Sequence, residues 1–362
     1  MSKTIRLAIV GVGNCASSLL QGIDYYRNRA GEETTGLLYE EVGGYGIGDI
    51  RPVAAFDVDP RKVGKPLHEA IFAPPNCTTV FQHELTDYGV LVQMGPVLDG
   101  VAEHMKNHPE AQTFRVADAE PCDVAQVLRE TKADVLVSYL PVGSEMAARH
   151  YAQACLDAGV ALVNCIPVFI ASHPEWSVEF RKRGLPIVGD DIKSQFGATV
   201  VHRTLAGLMG DRGVRLRRTY QLNTGGNTDF LNMLDQARLK SKRISKTESV
   251  QSQLPVPLLP DNIHIGPSDY VAWQRDNKVC FLRMEWEGFG GVSMNLELRL
   301  SVEDSPNSAG VGIDAIRCAK LALDRKVAGP LEEVSAFSMK HPPRQLRDSE
   351  ARRALEAWIN GA

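Results

Sequence analysis

The chain contains a short polar segment whose residue types suit the binding of an anion. Residues 189–194 read Gly-Asp-Asp-Ile-Lys-Ser, after an apolar run and before a stretch with helical spacing. Main-chain amides at the start of a helix attract anions, so those of residues 194–199 could hold a phosphate, with Lys193 nearby. Carboxylates at a helix start also serve as N-caps, which need no ligand. On this segment alone both interpretations stay open.

Two further polar segments follow. Residues 223–229 read Asn-Thr-Gly-Gly-Asn-Thr-Asp, which is typical of a binding loop, and residues 240–246 read Lys-Ser-Lys-Arg-Ile-Ser-Lys. If the second segment is helical, Lys242 and Lys246 share a face because they are four residues apart. A run of lysines more often forms a solvated surface, however. The pattern alone therefore favours a charged surface over a cationic site.

A glycine-rich turn near the N-terminus has the features of a dinucleotide-binding motif. Residues 11–16 read Gly-Val-Gly-Asn-Cys-Ala and lie between a predicted buried strand and a predicted helix, which is the setting that this motif requires. Gly11 permits the tight turn, Gly13 lets the backbone approach a pyrophosphate, and Ala16 allows close helix–strand packing. A glycine-rich turn without a ligand is the alternative interpretation.

An acidic residue completes this motif. Asp57 ends the next predicted strand, where a carboxylate accepts hydrogen bonds from the adenosine ribose and repels a 2′-phosphate, so NAD is favoured over NADP. Asp57 comes about twenty residues later than usual, because residues 27–51 form an insertion. Ser138 and Asn164, which end later strands, are further candidates for cofactor contact, although a plain strand-to-helix turn explains each almost equally well.

These segments need an α/β fold to position them. Apolar, β-branched runs alternate with stretches of helical spacing through the first part of the chain. This alternation predicts a doubly wound parallel sheet of Rossmann type with helices on both faces. The predicted strands are residues 5–10, 53–56, 135–139, 161–165 and 186–188, and the predicted helices are residues 15–26 and 144–158.

The pattern changes near residue 212. Residues 214–222 largely alternate apolar and polar, and residues 293–302 do so strictly, which indicates a sheet covered on one side, usually antiparallel. Residues 255–267 hold four prolines and are predicted to be a loop or linker. Residues 309–324 are predicted to return as a helix to the first domain. The predicted domains are an NAD-binding domain at residues 1–211, an inserted α+β catalytic and oligomerisation domain at 212–302, and a C-terminal segment at 303–362 that returns to the first.

Composition excludes several classes of protein. The 362 residues are 44% apolar and 23% charged, as in ordinary soluble globular proteins. A formal net charge of −4 gives no general attraction to nucleic acid or anionic lipid. No apolar run reaches the roughly 18 residues that span a membrane. The seven cysteines are scattered without a Cys-x-x-Cys pair, so we expect neither structural zinc nor disulfides, and a cytoplasmic location.

Four motifs together resemble the inositol-3-phosphate synthases, also called myo-inositol-1-phosphate synthases, in their shorter actinobacterial form. They are the Gly-Val-Gly-Asn turn and the three polar segments described above, and the resemblance covers nearly the whole chain in order. Two places depart from the pattern. Cys15 and Ala16 replace the glycine- and asparagine-rich loop of eukaryotic members, and Phe230 stands where a glycine usually follows the aspartate.

The resemblance implies a redox-neutral isomerase that converts D-glucose 6-phosphate to 1D-myo-inositol 3-phosphate. Hydride passes from C5 to bound NAD, the resulting ketone acidifies C6, and the C6 enolate closes the ring on the C1 aldehyde. The hydride then returns to C5. Negative charge develops on oxygen at each step, and closely placed ammonium groups stabilise it.

By position, the resemblance also implies the site residues. The expected catalytic residues are Lys242, Lys246, Lys278, Lys340, Asp191 and Asp229, with Lys246 assigned to the phosphate and the other lysines to oxyanion stabilisation and proton transfer. The expected cofactor-binding residues are Gly11, Gly13, Asn14, Cys15, Ala16, Asp57, Ser138, Asn164, Asp191, Ser194, Asp229, Lys242 and Asp304. The expected phosphate-binding residues are Lys193, Ser194, Gln195, Gly197, Thr199 and Lys246.

The resemblance further implies a homotetramer. Whether a mono- or divalent cation assists stays open, since three of these aspartates could place one but no His/Cys ligand spacing is present. Two rival interpretations remain. An ordinary NAD-dependent dehydrogenase of a sugar phosphate or other small polar substrate would release NADH, and a nucleotide-sensing regulator would use its second domain only to oligomerise. Neither gives a reason for the dispersed lysines.

Overall fold

The computed structural model describes residues 3–27, 29 and 34–361, so residues 28 and 30–33 of the predicted insertion lie outside it. The strands are β1 Ile5–Val10, β2 Glu41–Val42, β3 Tyr45–Gly46, β4 Ile50–Asp57, β5 Val92–Met94, β6 Val135–Ser138, β7 Ala161–Asn164, β8 Pro186–Val188, β9 Arg215–Gly225, β10 Ile263–Tyr270, β11 Asn277–Glu287, β12 Ser293–Glu303 and β13 Gly329–Pro330. The α-helices are α1 Asn14–Arg27, α2 Leu67–Ala70, α3 Val124–Glu130, α4 Glu145–Ala158, α5 Pro174–Lys182, α6 Ala198–Asp211, α7 Thr228–Asn232, α8 Lys240–Gln251, α9 Asp304–Arg325, α10 Glu332–Ser338 and α11 Asp348–Asn360.

A seven-stranded sheet forms the core of the first part of the chain, in the order β13-β8-β7-β6-β1-β4-β5. All of its paired strands are parallel. The strand β1 shows why both faces must be covered: Ile5, Leu7 and Ile9 belong to one apolar cluster, and Ala8 and Val10 belong to another. Apolar side chains on both faces are typical of a parallel sheet between helices. The predicted Rossmann-type fold is confirmed.

The strand order places a crevice at one edge of this sheet. The order in which successive strands join the sheet reverses at β1. The strand β4 pairs on one side of β1, and the later strand β6 pairs on its other side. Ligands of open α/β sheets bind outside the carboxyl ends of the strands at such a switch point. The glycine turn follows β1, Asp57 ends β4 and Ser138 ends β6, so these segments meet there.

The second sheet has four strands in the order β10-β9-β11-β12. The strands β9, β11 and β12 pair antiparallel, as predicted, but β10 pairs parallel to β9. The prediction of a loop or linker over residues 255–267 was wrong at its C-terminal end, since β10 begins at Ile263. Pro267 lacks a main-chain N–H, and the pairing of β10 shifts register between Pro267 and Asp269.

Helices α6 and α8 cover one face of the second sheet. Leu216, Ile265 and Leu282 pack there with Ala206 and Val250 of the two helices. The long helix α9 follows β12 directly and packs against α1, β7 and β8 of the first sheet. The chain thus contacts the first sheet again through α9, and the predicted domain division at residues 211 and 302 stays a prediction. Within the described ranges, no helix is long and apolar enough to cross a bilayer.

Candidate active site

A cavity lies between the carboxyl ends of the parallel strands and the second sheet. Its wall includes Gly11 and Asp57 from the first sheet and Gln221, Asn223 and Lys278 from the second. Most of the predicted site residues line it. They are Gly11, Gly13, Asn14, Cys15, Asp57, Asp191, Ser194, Gly197, Thr199, Asp229, Lys242, Lys246, Lys278, Asp304 and Lys340.

The glycine turn forms one end of the cavity, called here the glycine end. Gly11 has φ +84, and a Cβ there would stand 2.6 Å from the carbonyl oxygen of Tyr139, so only glycine fits the turn against the end of β6. A Cβ on Gly13 would meet no atom within 4 Å. Gly13 therefore faces open space at the start of α1, where a phosphate group can approach the backbone.

The carboxylate of Asp57 is fixed beside this turn. Its Oδ2 accepts a hydrogen bond from the N–H of Val12 at 2.7 Å, and its Oδ1 accepts from the N–H groups of Val58 and Asp59 at 2.7 and 2.9 Å. The free acceptor capacity therefore lies mainly on Oδ2. Asn14 stabilises the neighbouring loop, since its Oδ1 accepts from the N–H of Cys77 at 2.7 Å.

The opposite end, called here the lysine end, is centred on Asp191. This carboxylate is buried, and it accepts hydrogen bonds from Lys242 at 3.2 Å, Lys340 at 3.0 Å and the Ser245 hydroxyl at 2.6 Å. Burial raises the pKa of Asp191, but the two ammonium groups outweigh that effect and lower it overall. Asp191 is therefore an anion that holds two cations on the cavity wall.

The backbone around Asp191 is held in an uncommon conformation. Asp191 has φ +62, a left-handed region that non-glycine residues rarely adopt. The N–H of Asp191 donates to the carbonyl of Ile166, and its carbonyl accepts from the N–H of Lys340 at 2.7 Å. Such a conformation persists only where the surroundings determine it, and it concentrates at functional sites. Here it turns the carboxylate towards the cavity.

The neighbouring carboxylate, Asp190, has a different role. It is fully buried and accepts hydrogen bonds from Asn164, from the N–H groups of Ile170 and Ala171, and from both the N–H and the hydroxyl of Ser172. Burial raises the pKa of Asp190, and these donors oppose that rise. Asp190 therefore stabilises the loop after β7 and lies away from the cavity.

A second ion pair joins Lys278, at the start of β11, to Asp304, the first residue of α9. Burial raises the pKa of Asp304, but Lys278 and the other lysines lower it overall. Asp229, in α7, is half-buried nearby, and loss of solvation raises its pKa although Lys242 opposes the rise. Oppositely charged groups thus alternate around this end of the cavity.

Lys246 differs from the other three lysines. Its side chain is 7% exposed, and among the residues that the structure describes none forms a hydrogen bond or ion pair with its ammonium group. Burial and three neighbouring lysines lower its pKa to about 7. A buried cation without a counterion is a suitable partner for an anionic ligand. Residues 240–246 are helical, as the start of α8, and Lys242 and Lys246 lie on the same wall.

Several predicted site residues do not line the cavity. Lys193 donates instead to the carbonyl of Ala336 at 2.8 Å and to Asp348 at 3.2 Å. Gln195 donates to the carbonyl of Gly36. The remaining three are buried within the packing of the first sheet and its turns: Ala16, Ser138 and Asn164.

Sequence reasoning missed other residues of the wall. Gln221 lines it from β9, where its alternation with apolar residues gave a signal, next to Asn223 of the segment predicted to be a binding loop. Ser245, which bonds Asp191 from behind the wall and does not line the cavity, was also missed; it lies three residues after Lys242 and so shares its helical face. Lys62 also lines the cavity, but in the sequence it resembles an exposed turn residue. As for metals, the described residues contain no group of three or more His, Cys, Asp or Glu arranged to hold an ion.

The Rossmann-type sheet, the second sheet and the charged cavity between them define an α/β enzyme. A family model described as myo-inositol-1-phosphate synthase matches residues 197–305. The chain is 56% identical to the inositol-3-phosphate synthase of Mycolicibacterium smegmatis, over 99% of this chain and 98% of that protein. It is 54% identical to the inositol-3-phosphate synthase of Corynebacterium glutamicum, over 99% of both chains. The chain belongs to the inositol-3-phosphate synthase family.

A solved structure agrees with this assignment. The crystal structure of a myo-inositol-1-phosphate synthase-related protein from Thermotoga maritima has a TM-score of 0.81 and 25% sequence identity to this chain, and the match covers 99% of this chain and 98% of that one. The family resemblance expected from the four motifs is thus confirmed over the whole chain.

Proposed function

We propose that this enzyme converts D-glucose 6-phosphate to 1D-myo-inositol 3-phosphate by oxidation at C5, enolisation, ring closure and reduction at C5. The observation that carries the proposal is the lysine end of the cavity, where four lysines and three aspartates, all buried or half-buried, line one wall. This cluster opens into the same cavity as the glycine turn. A substrate at the lysine end can therefore lie next to a dinucleotide at the glycine end.

NAD is the proposed cofactor. The open space at Gly13, the backbone turn at Gly11 and the fixed carboxylate of Asp57 fit the pyrophosphate and adenosine ribose of a dinucleotide. Bound NAD would supply the hydride acceptor, and later the hydride donor, for C5 of the substrate. The residues lining the cavity between these two ends, Asn14, Cys15 and Ser194 among them, would contact the rest of the cofactor.

The substrate phosphate is proposed to bind Lys246 and the segment before α6. Ser194, Gly197 and Thr199 line the same cavity as Lys246. Because α6 begins at Ala198, the main-chain amides of its first turn lack intrahelical partners and can donate to phosphate oxygens. Lys193 is not included, since its ammonium group already bonds Asp348.

The other three lysines are proposed to act on the carbonyl and hydroxyl oxygens. Lys242 and Lys278 are each paired with an aspartate; burial lowers the pKa of Lys242, but Asp191 and Asp229 raise it overall. It therefore stays protonated and suits oxyanion stabilisation. Burial lowers the pKa of Lys340, and Asp191 only partly offsets this. Lys340 is therefore the better candidate to accept a proton.

We also propose a homotetramer in the cytoplasm. Strand β12 lies at the edge of the second sheet, and its apolar side chains are only half-buried, with Met294 41% exposed. An apolar edge strand is a surface that partner subunits cover. The seven unpaired cysteines suit a reducing compartment. Light scattering at micromolar concentration should give the mass of four chains; a monomer mass would contradict the tetramer.

The decisive test of the reaction follows the hydrogen at C5. Glucose 6-phosphate carrying deuterium at C5 should give an inositol phosphate that retains the deuterium, because the hydride returns to the carbon that it left. Turnover should require NAD without net accumulation of NADH. Stoichiometric release of NADH with an open-chain keto sugar as product would decide for the ordinary dehydrogenase.

A further inference from the structure

Lys62 is a buried cation at the glycine end of the cavity. Its side chain is 4% exposed and lines the cavity wall. The ammonium group donates to the carbonyl of Val12 at 2.8 Å and to Oδ1 of Asn76 at 2.9 Å. Burial lowers its pKa, although the carboxylates of Asp57 and Asp59 oppose this.

Lys62 and Asp57 both form hydrogen bonds with the main chain of Val12. Oδ2 of Asp57 accepts from the N–H of Val12, while Lys62 donates to the carbonyl of that residue. The two charged groups are 4.0 Å apart, beyond hydrogen-bond distance. An ammonium group has three N–H donors, and two of those of Lys62 have partners within the described residues. One donor is therefore left over at the wall of the cavity, beside the carboxylate proposed to bind the ribose.

The neighbouring cations are held elsewhere. Arg61 bonds Asp59 through Nε at 2.8 Å and reaches the carbonyls of Glu110 and Thr113. Arg115 donates to main-chain carbonyls. Neither arginine lines the cavity. Of the lysines and arginines on the wall, Lys62 is the one placed next to Asp57, whereas the other four belong to the lysine end.

We infer that Lys62 is a second determinant of cofactor choice, and that the carboxylate of Asp57 cancels its effect in the wild type. In the wild type, the carboxylate of Asp57 neutralises this ammonium group and repels a 2′-phosphate. Without the carboxylate, a buried cation with a spare donor is left where the 2′-phosphate of NADP would lie, and a phosphate oxygen can take the place of the carboxylate. This inference rests on the proposed binding of NAD.

The test measures binding of NAD and NADP by isothermal titration calorimetry to wild type, Asp57→Asn, and Asp57→Asn combined with Lys62→Met. The ratio of NADP to NAD affinity should rise at least tenfold in Asp57→Asn and fall back at least tenfold in the double variant. Asp57→Asn combined with Lys62→Arg, which retains a cation, should keep most of the gain. Lys65→Met, at an exposed lysine of the same segment, is the matched control and should leave the ratio unchanged.

Two outcomes would overturn the inference in distinguishable ways. If wild type binds NAD but Asp57→Asn binds NADP no better than the double variant does, Lys62 has no part in cofactor choice. If wild type fails to bind NAD at all, the proposed function fails and the inference with it. Thermal melting checks that each variant is folded, and Lys62→Gln, which keeps a donor for the carbonyl of Val12, replaces Lys62→Met should the latter unfold.

Discussion

The two ends of the cavity are built from different groups. At the glycine end, main-chain amides and one carboxylate come from a single continuous strand, turn and helix and the end of the next strand. At the lysine end, charged side chains come from six separate segments of the chain, which contribute Asp191, Asp229, Lys242 with Lys246, Lys278, Asp304 and Lys340. The glycine end is therefore formed by main-chain atoms of fixed shape, whereas the lysine end is formed by oppositely charged side chains that hold one another in place.

This difference predicts how each end responds to substitution. The lysine end holds four lysines and three aspartates, so lysines outnumber aspartates there, which favours an anionic substrate. Removing one member there leaves a partner unpaired at low dielectric, where the loss is large. Removing a side chain at the glycine end leaves the turn in place. We therefore expect losses of rate at one end and of cofactor affinity at the other.

The largest effect is expected for Lys278→Met. Loss of one preorganised ammonium group should lower kcat on the order of 100- to 1000-fold, while NAD affinity should change little because the glycine end is untouched. Steady-state kinetics and calorimetry measure the two quantities. Lys240→Met, at an exposed lysine of α8, should retain full activity. A Lys278→Met enzyme that lost NAD affinity but kept its kcat would contradict the expected difference between the two ends.

A smaller effect is expected for Asp57→Ala. A hydrogen bond to a charged group contributes about 1.5–3 kcal/mol, so the affinity for NAD should fall about 10- to 150-fold and the gap to NADP should narrow. The affinity for inorganic phosphate at the lysine end should not change. Asp118→Ala, at an exposed aspartate, serves as the control. Unchanged affinities for both dinucleotides would show that Asp57 does not contact the ribose.

The smallest effect is expected in the pH dependence of phosphate binding, which depends on the ammonium group of Lys246. Because the pKa of Lys246 is lowered to about 7, its ammonium group is mostly deprotonated at pH 8, and a phosphate dianion that needs the cation must restore the proton. Binding of inorganic phosphate at pH 8 should therefore take up about one proton, with affinity falling at most tenfold per pH unit above pH 7. Calorimetry in buffers of different ionisation enthalpy measures this uptake.

The corresponding variant separates Lys246 from Lys193, whose pKa is also lowered to about 7, by burial and the nearby Arg203. Lys246→Met should abolish the uptake, because Lys193 already donates to Asp348 and does not line the cavity. Uptake that persists in Lys246→Met would assign the titration to another group and weaken the proposed phosphate site.

The sequence predicted the two ends unequally well. The glycine turn and Asp57 form a local motif, so strand, turn and helix were all placed within a few residues. Asp190 and Asp191 are adjacent and chemically identical, but one carboxylate bonds the loop after β7 and the other faces the cavity, a difference that depends on backbone conformation and on partners from elsewhere in the chain. Lys193 is adjacent to the predicted phosphate segment, but a carboxylate from α11, 155 residues away, holds it.

Two other differences between the sequence-based predictions and the structure also arise from contacts between distant parts of the chain. β10 contains proline and glycine, which favour a loop, but its parallel pairing with β9 overrides that local preference. Lys62 lies in a polar turn, and nothing local shows that it is buried against Val12 and Asn76. Local patterns therefore predict elements and motifs, whereas the direction of a charged side chain depends on partners that the fold brings from elsewhere.

The direct passage from β12 into α9 has a consequence for the entropy of substrate binding. Asp304 is the first residue of a helix whose 22 residues form a rod about 33 Å long. Most of that rod is buried against the first sheet. The carboxylate that holds Lys278 is therefore ordered when the protein folds, before any ligand arrives. The Asp304 carboxylate therefore has little conformational freedom left to lose when substrate binds. Its entropy is lost once, when the protein folds, and not in each turnover.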